Sequence, residues 1–294
     1  MHISGDGIPR YKGGLHIHTN KSDGQKSPAE AAQFYRSAGY DFIALTDHWV
    51  YNPGGVYDGF TVLSGIEYDV GSDTREGIWH IVGIGCEKDP ALMSGIPGIT
   101  GSLGKAQYIT DSINGAGGCA ILAHPVWSLN RPSEIMRLKG LAGIEIYNAV
   151  SGMPWGNRAD SSALLDIMAA DGFMLPVHAA DDSHWYLSEA GSSCIYAKAA
   201  GLLPGQLMKA VGSGDLFASR GPVLEVRREK NTLYVTCSPV SDIIFQTGKV
   251  WIPDRVQCGT ELTSAEYTIK PSDIFVRIEV SDRNGNTAWT GYYV

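Results

Sequence analysis

The sequence predicts a parallel α/β barrel followed by a small antiparallel β-sandwich, and three observations predict it. Apolar strands in the first part turn polar only at their C-terminal tips, as where Asp41-Phe42-Ile43-Ala44-Leu45 runs into Asp47-His48. Strands buried on both faces with chemistry gathered at one mouth have this pattern. Helix-like and strand-like segments alternate over roughly the first 215 residues. From Val223 onward only short alternating runs remain, separated by turn signals, so a boundary is placed after Arg220 and divides the chain into 1–220 and 221–294.

The first strand offers Leu15-His16-Ile17-His18-Thr19. In an extended chain His16 and His18 share one face while Leu15 and Ile17 pack on the other, which is half of a metal site. Asp23, in Ser22-Asp23-Gly24, can reach the same point from a turn. Ser27-Pro28 with Glu30 starts a helix, Ala31, Ala32, Phe34, Tyr35 and Ala38 give it an apolar face, and Gly39 closes it. A strand over 41–45 follows, then a third over 60–67 ending in Glu67 and a fourth over 79–84 with His80 near its start. The stretch 87–101 is rich in proline and glycine and is expected to be a loop, and helical spacing resumes over 103–116. Strands over 119–125 and 143–148 carry His124 and Glu145, and 160–171 has the spacing of an amphipathic helix. The segment 173–178 is a strand that runs into Asp181-Asp182-Ser183-His184; 192–197 adds a strand and 204–211 a last helix. Beyond the boundary, runs at 224–227, 233–236, 243–245, 250–252, 275–280 and 288–290 predict the sandwich.

Length allows a barrel plus a small module in 294 residues. A net charge of −8 with no basic run excludes sequence-independent binding to a nucleic-acid duplex. The N-terminus lacks the basic and apolar regions of a signal peptide, and no apolar run approaches about 20 residues, so the expectation is a cytoplasmic protein with no membrane span. The five cysteines are scattered and never form Cys-x-x-Cys, which fits reduced thiols.

Seven of the eight histidines, all but His2, fall in the alternating region. A lone histidine beside a strand is usually a core or rim residue. The set is different, because so many titratable groups crowded in one mouth are costly unless cations compensate them. The number of candidate ligands exceeds the four of a tetrahedral site, so more than one ion is implied.

The segments His16-Ile17-His18-Thr19 through Ser22-Asp23-Gly24, Leu45-Thr46-Asp47-His48, Gly65-Ile66-Glu67, His80, Ala123-His124-Pro125, Ile144-Glu145-Ile146-Tyr147-Asn148 and Asp182-Ser183-His184 resemble, in order and spacing, the motifs of the polymerase and histidinol phosphatase (PHP) superfamily. The resemblance covers about residues 11–220. It implies a distorted seven-stranded (β/α) barrel with two to three divalent ions, zinc, manganese or iron, at its C-terminal mouth. By this likeness His16, His18, Glu67 and Asp182 hold one ion; Glu67 bridges to a second completed by His80 and His124; and Asp23, His48 and His184 hold a third. Asp47 is expected to orient a ligand or cap the loop, Glu145 and Asn148 to contact ligands or substrate, and His178 to be a satisfied barrel histidine. The segment Gly214-Asp215-Leu216-Phe217-Ala218-Ser219-Arg220-Gly221-Pro222, with Ala288-Trp289-Thr290, is similar to the C-terminal part of the carbaryl-hydrolase-like subgroup, some of whose members hydrolyse carbamate or aryl ester bonds.

The resemblance implies a metal-dependent phosphoesterase acting on a small phosphate ester, a nucleotide among the candidates, by attack of a metal-bridging hydroxide on phosphorus. Glu67 would bridge, and His184 or His48 would protonate the leaving group. Arg158 and Arg220 are the candidate phosphate-facing cations, and Asn148, Trp185 and Tyr147 the candidate substrate contacts. The same chemistry aimed at a carbonyl, in a carbamate, amide or ester hydrolase, is the alternative. A non-catalytic binding module is a second, against which the complete ligand set speaks. A phosphomonoesterase should present fixed positive groups, whereas a carbonyl hydrolase should have a more apolar pocket.

Overall fold

The structure is a computed structural model that describes residues 2–3, 7–73, 75, 77–92, 96, 98–251 and 253–294. It opens with β1 (His2–Ile3), β2 (Pro9–Gly14), α1 (Pro28–Ser37), β3 (Phe42–Ala44), β4 (Gly55–Tyr57), β5 (Phe60–Leu63) and β6 (Gly65–Val70). Next come β7 (Trp79–Ile84), α2 (Ser102–Gly115), β8 (Cys119–Leu122), α3 (Pro132–Ile135), β9 (Leu141–Asn148), α4 (Ser162–Ala170) and β10 (Val177–Ala180). The first part ends with β11 (Cys194–Lys198), α5 (Pro204–Ser213) and β12 (Leu216–Ser219). The second consists of β13 (Leu224–Glu229), β14 (Thr232–Thr247), β15 (Val256–Thr268), β16 (Val276–Ser281) and β17 (Thr287–Tyr293).

Local sequence explains several of these elements. The α1 start is a capping box: the Ser27 hydroxyl accepts from the Glu30 backbone while the Glu30 carboxylate accepts from the Ser27 N–H. Its apolar face buries Ala31, Ala32 and Tyr35. The strand expected over 60–67 is broken at Ser64: β5 stays beside β3, parallel, while β6 crosses into another sheet. Gly65 makes the step, since a Cβ there would lie 2.5 Å from the Leu45 carbonyl oxygen. Parallel order fails at β6, β7 and β8, which pair antiparallel. The described part of the β6–β7 link carries no crossover helix, as a parallel pair would need, whereas the β7–β8 link carries α2 and the chain still returns antiparallel.

Other differences are of extent. The strand expected over 173–178 begins only at Val177, and His16 and His18 lie just past the end of β2. The runs at 233–236 and 243–245 join into the single strand β14, while Val250 and Trp251 are exposed outside any strand and Ile252 lies outside the described residues. β15 was not expected, because Val-Gln-Cys-Gly-Thr-Glu-Leu-Thr-Ser-Ala-Glu-Tyr-Thr has no clean alternation. It pairs with β14 on one side and is mostly exposed. In the loop 87–101, residues 93–95 and 97 lie outside the described residues.

Two sheets result. One has the order β10-β9-β8-β7-β6; the other runs β13-β14-β16-β17-β12-β11-β2-β3-β5-β4, with β1 on β2 and β15 on β14. Phe42, Ala44 and Leu63 of the second share an apolar core with Val82, Ile84 and Ile121 of the first. The two walls join at one end through the bridges Ile17↔Ser183 and His48↔Glu67. There the Asp182 N–H donates to the His16 carbonyl (3.0 Å), His18 N–H to Ser183 (3.1 Å) and Glu67 N–H to Asp47 (3.2 Å). The two sheets are thus pinned together at one end, where the expected ligands lie.

The C-terminal strands continue the second sheet, because β12 pairs antiparallel with β17, Phe217 opposite Thr290. Phe217 also shares one buried cluster with Leu233, Ile243 and Ile278. Two ion pairs fasten this part to the first: Arg10 to Glu225 (2.6 and 3.1 Å) and Arg277 to Asp166 (2.9 and 2.7 Å). Among the described residues no helix is long and apolar enough to cross a membrane.

Candidate metal centre

Beyond β2 the chain stays extended, so Ile17 is buried on one side and His16 and His18 point together to the other. His16 Nδ1–H donates to Glu145 Oε1 (2.7 Å), which turns Nε2 to 3.0 Å from Glu67 Oε2 and 3.2 Å from Asp182 Oδ1. His18 Nε2 lies 3.0 and 3.1 Å from the same two oxygens. The Asp23 loop folds back on this stretch because Gly24 has no Cβ; one would sit 2.5 Å from the His18 carbonyl. Asp47 fastens that loop by accepting from Thr19 N–H (2.7 Å), Thr19 Oγ1 (2.8 Å) and Ser22 Oγ (2.9 Å). Asp23 then stands 3.4 Å from His18 Nδ1 and from His184 Nε2, and 3.9 Å from His48 Nε2.

On the antiparallel pair β6–β7, Glu67 lies opposite Val82, so His80 is its diagonal neighbour on one face, with Nδ1 2.9 Å from Oε1. A strand running the other way brings its start to the mouth, which is why His80 reaches the cluster. His124 and Asp182 follow the ends of β8 and β10 with left-handed backbone, φ 27° and 53°. Such strain at two adjacent ligand positions is typical of a site whose side chains must be aimed.

Among the described residues, three groups of atoms able to hold a metal ion result, each with all atoms within 4.8 Å: His16, His18, Glu67 and Asp182; His18, Asp23, His48 and His184; and His48, Glu67 and His80. His124 stands just outside, its Nε2 3.8 Å from Glu67 and 3.7 Å from Asp182. The residues fit divalent cations on two counts. His18 Nε2, His48 Nδ1 and Asp182 Oδ1 are buried without hydrogen-bond partners although charged neighbours are close, so they are aimed at common points rather than at one another. The mixed imidazole and carboxylate set also suits zinc, manganese or iron.

Burial pulls the His16 pKa down, yet Asp182, Glu67 and Glu145 outweigh it and hold it well above the ordinary value. Against the same opposition Asp182 and Glu67 raise His18 to about 9. Burial lowers His48. A cation entering at pH 7 must therefore displace protons from His16 and His18. Metal affinity is expected to rise by about tenfold per pH unit for each proton displaced, the share from His18 levelling off at about pH 9. Calorimetry in buffers of different ionisation enthalpy checks this; uptake without proton release would sink it.

His178 is buried on β10, but it is not the satisfied histidine the sequence suggested: neither ring nitrogen has a partner. Burial depresses its pKa from 6.5 to about 4. The fold holds it neutral, so stability is complete above pH 6.5 and falls as the unfolded chain alone takes a proton, with the loss ending near pH 4. His178→Phe is expected to remove about 3 kcal/mol of this acid destabilisation, read from denaturant midpoints of the two proteins between pH 7 and 4.

A cavity of about 330 Å³ opens over the cluster. Its lining combines Asp23, His48, Glu67, His80, His124, Asp182 and His184 with Trp127, Val150, Ser151, Trp155 and Trp185. Trp185 lines the cavity and is partly exposed. Arg158 is exposed away from the lining, and Arg220 lies on the Tyr147 ring (4.3 Å), which also packs against Trp289. Asn148 is fully buried, donating to Glu145 and Asp182 and accepting from Ser151, so it orients the carboxylates and has no amide group free for a substrate. Trp127 and Trp155 were missed. Their only signal is an indole on a loop just past a ligand-bearing strand.

No family model and no curated protein matches the sequence. Among solved structures, a two-domain protein from Bacteroides vulgatus containing a predicted PHP-like metal-dependent phosphoesterase aligns over 99% of this chain and 98% of its own, with TM-score 0.53 and 16% identity. The chain has a PHP-like fold. An amidohydrolase from Chromobacterium violaceum aligns over 61% of this chain and 89% of its own, with TM-score 0.43 and 18% identity. The alignment with the two-domain protein from Bacteroides vulgatus extends through the C-terminal strands.

Proposed function

We propose that the chain is a metal-dependent hydrolase of the PHP superfamily that cleaves a small phosphate ester. The observation that carries this reading is the interlocking of the three ligand groups, which share His18, His48 and Glu67. When bound, two to three divalent ions would activate water and take charge from the phosphate oxygens. His16, His18, Glu67 and Asp182 hold one; Glu67 extends to a second with His80, His48 and His124; Asp23, His48 and His184, with His18, hold a third. Glu145 and Asp47 keep the histidines and the Asp23 loop in place. His48 and His184 stand at the open edge, 24% and 16% exposed; with the third ion absent, either is the candidate to pass a proton to the leaving group. The reading takes 1–220 as the hydrolase barrel, in its distorted seven-stranded form, and 221–294 as an accessory sandwich-like unit. It places the protein in the cytoplasm with a small-molecule substrate.

A second reading aims the same chemistry at a carbamate, amide or carboxylic ester. It is favoured by the walls: among the described residues lining the cavity there is no lysine or arginine, and three are tryptophans. Elemental analysis after metal-supplemented expression tests both, since less than one divalent ion per chain would sink them together. Rates on an aryl phosphate monoester, a phosphodiester and a carbamate, with His16→Ala as control, then separate them. A carbamate rate far above both phosphate rates would overturn the first choice.

A further inference from the structure

Resting on the hydrolase reading above, we propose that the mouth carries an aromatic subsite built by Trp155 and Trp185 with Trp127, and that the substrate is an ester bearing a planar aromatic group and at most one negative charge. The Trp155 and Trp185 rings stack at 4.8 Å and 12° although they come from separate loops, after β9 and after β10. Both line the cavity and keep 36% and 37% of their surface exposed. Trp127, 43% exposed, sits edge-on to His124 (4.9 Å) and His80 (5.9 Å), beside the metal cluster. An indole left in water forgoes a large burial gain, and three around one cavity form a surface matched to a flat apolar partner.

The loops that carry the stacked pair are fastened. Glu189 accepts from the Trp185 N–H (2.9 Å) and the Leu187 N–H (3.1 Å). Buried Asp181 accepts from the N–H groups of Gly191 (2.6 Å), Ser192 (3.1 Å) and Ser193 (2.7 Å), closing the far end of the same loop. On the other side the Gly156 N–H donates to the Gly152 carbonyl (2.7 Å), and a Cβ at Gly156 would lie 2.5 Å from the Ser151 oxygen, so the chain turns tightly just after Trp155. A surface held in place before binding loses little entropy when a ring stacks on it.

Charge sets the other half of the class. The described lining contributes the carboxylates of Asp23, Glu67 and Asp182 and no lysine or arginine. A dianionic monoester would have only the cations of the floor to meet its charge, whereas a monoanionic diester or a neutral ester needs no more. In the hydrolysis of an aryl phosphodiester, the bond between phosphorus and the aryl oxygen breaks. Oxygen from water joins phosphorus, and the aryl alcohol leaves with a proton.

The test uses the full chain loaded with zinc and three unreactive probes, read by calorimetric titration: monomethyl phenylphosphonate, monomethyl ethylphosphonate and dianionic phenylphosphonate. The first is expected to bind at least about tenfold more tightly than either other, the worth of one good stacking contact. Trp155→Ala and Trp185→Ala are expected to reduce the phenyl over ethyl preference to about one, while Trp185→Phe retains most of it. Equal affinities for phenyl and ethyl probes, a preference that survives both alanine variants, or tightest binding of the dianion would overturn the proposal. Turnover of alkyl and aryl esters alike with equal probe affinities removes the subsite and leaves the hydrolase reading. A phenyl preference with no turnover of any ester removes the hydrolase reading and leaves the subsite.

Discussion

Glu67→Gln is expected to slow hydrolysis by about 10⁴-fold or more and to remove at least one ion from the metal-loaded protein. Glu67 is buried, and its two oxygens lie within 3.0 Å of His16, His18 and His80, 3.4 Å of His48 and 3.8 Å of His124. The amide keeps the size and one acceptor but removes a charge, so two ligand groups lose their common anion at once. Asp23→Ala should do much less: Asp23 is 54% exposed and belongs to one group only, so a two-ion enzyme with residual activity is the expected outcome. Metal content by elemental analysis and turnover under saturating metal decide the matter. Equal metal content and equal rates in the two variants would argue against the partition.

Arg277→Ala should cost about 3–5 kcal/mol of stability, the typical effect of breaking a buried ion pair from one side. Arg277 is 0% exposed on β16; its Nε and Nη2 donate to Asp166 on α4 and its Nη1 to Glu279 (2.6 Å). Burial works against its charge, but Asp166 and Glu279 hold its pKa above the ordinary value. Removing the guanidinium leaves the largely buried carboxylates of Asp166 and Glu279 without their shared cation. Denaturant unfolding of Arg277→Ala, Asp166→Ala and the double variant should show the double change costing less than the sum, by about 0.5–3 kcal/mol. Strict additivity would mean the pair does not couple the first part of the chain to the second.

What could be read from the sequence follows from what constrains residue type. A metal site demands histidine or carboxylate whatever surrounds it, so the ordered motifs that resemble the PHP superfamily named His16, His18, Asp23, His48, Glu67, His80, Asp182 and His184, which the fold brings together. The α1 start was equally legible, because Ser27 and Glu30 satisfy each other locally. Strand direction was not, since β6 to β8 look the same in either pairing, and α2 between β7 and β8 reads like the crossover of a parallel pair although the two strands run antiparallel. β15 escaped because a strand exposed over most of its length needs no apolar alternation. Arg158 and Arg220 misled because charge reports nothing about direction. Asn148 misled because a buried amide and a substrate-binding amide carry the same letter.

The β12–β17 ladder bears on how the molecule comes apart. Because Phe217, Ala218 and Ser219 are zipped to Thr290, Trp289 and Ala288, the last strand of the chain is also an inner strand of the sheet that bears the first histidines. Melting should therefore be a single cooperative event, with one calorimetric endotherm and similar hydrogen-exchange protection for amides in β12 and β17. A chain cut after Arg220 would leave β12 as a raw apolar edge, open to pairing with another copy. The C-terminal strands thereby shield the sheet that leads into His16 and His18 from pairing with another copy.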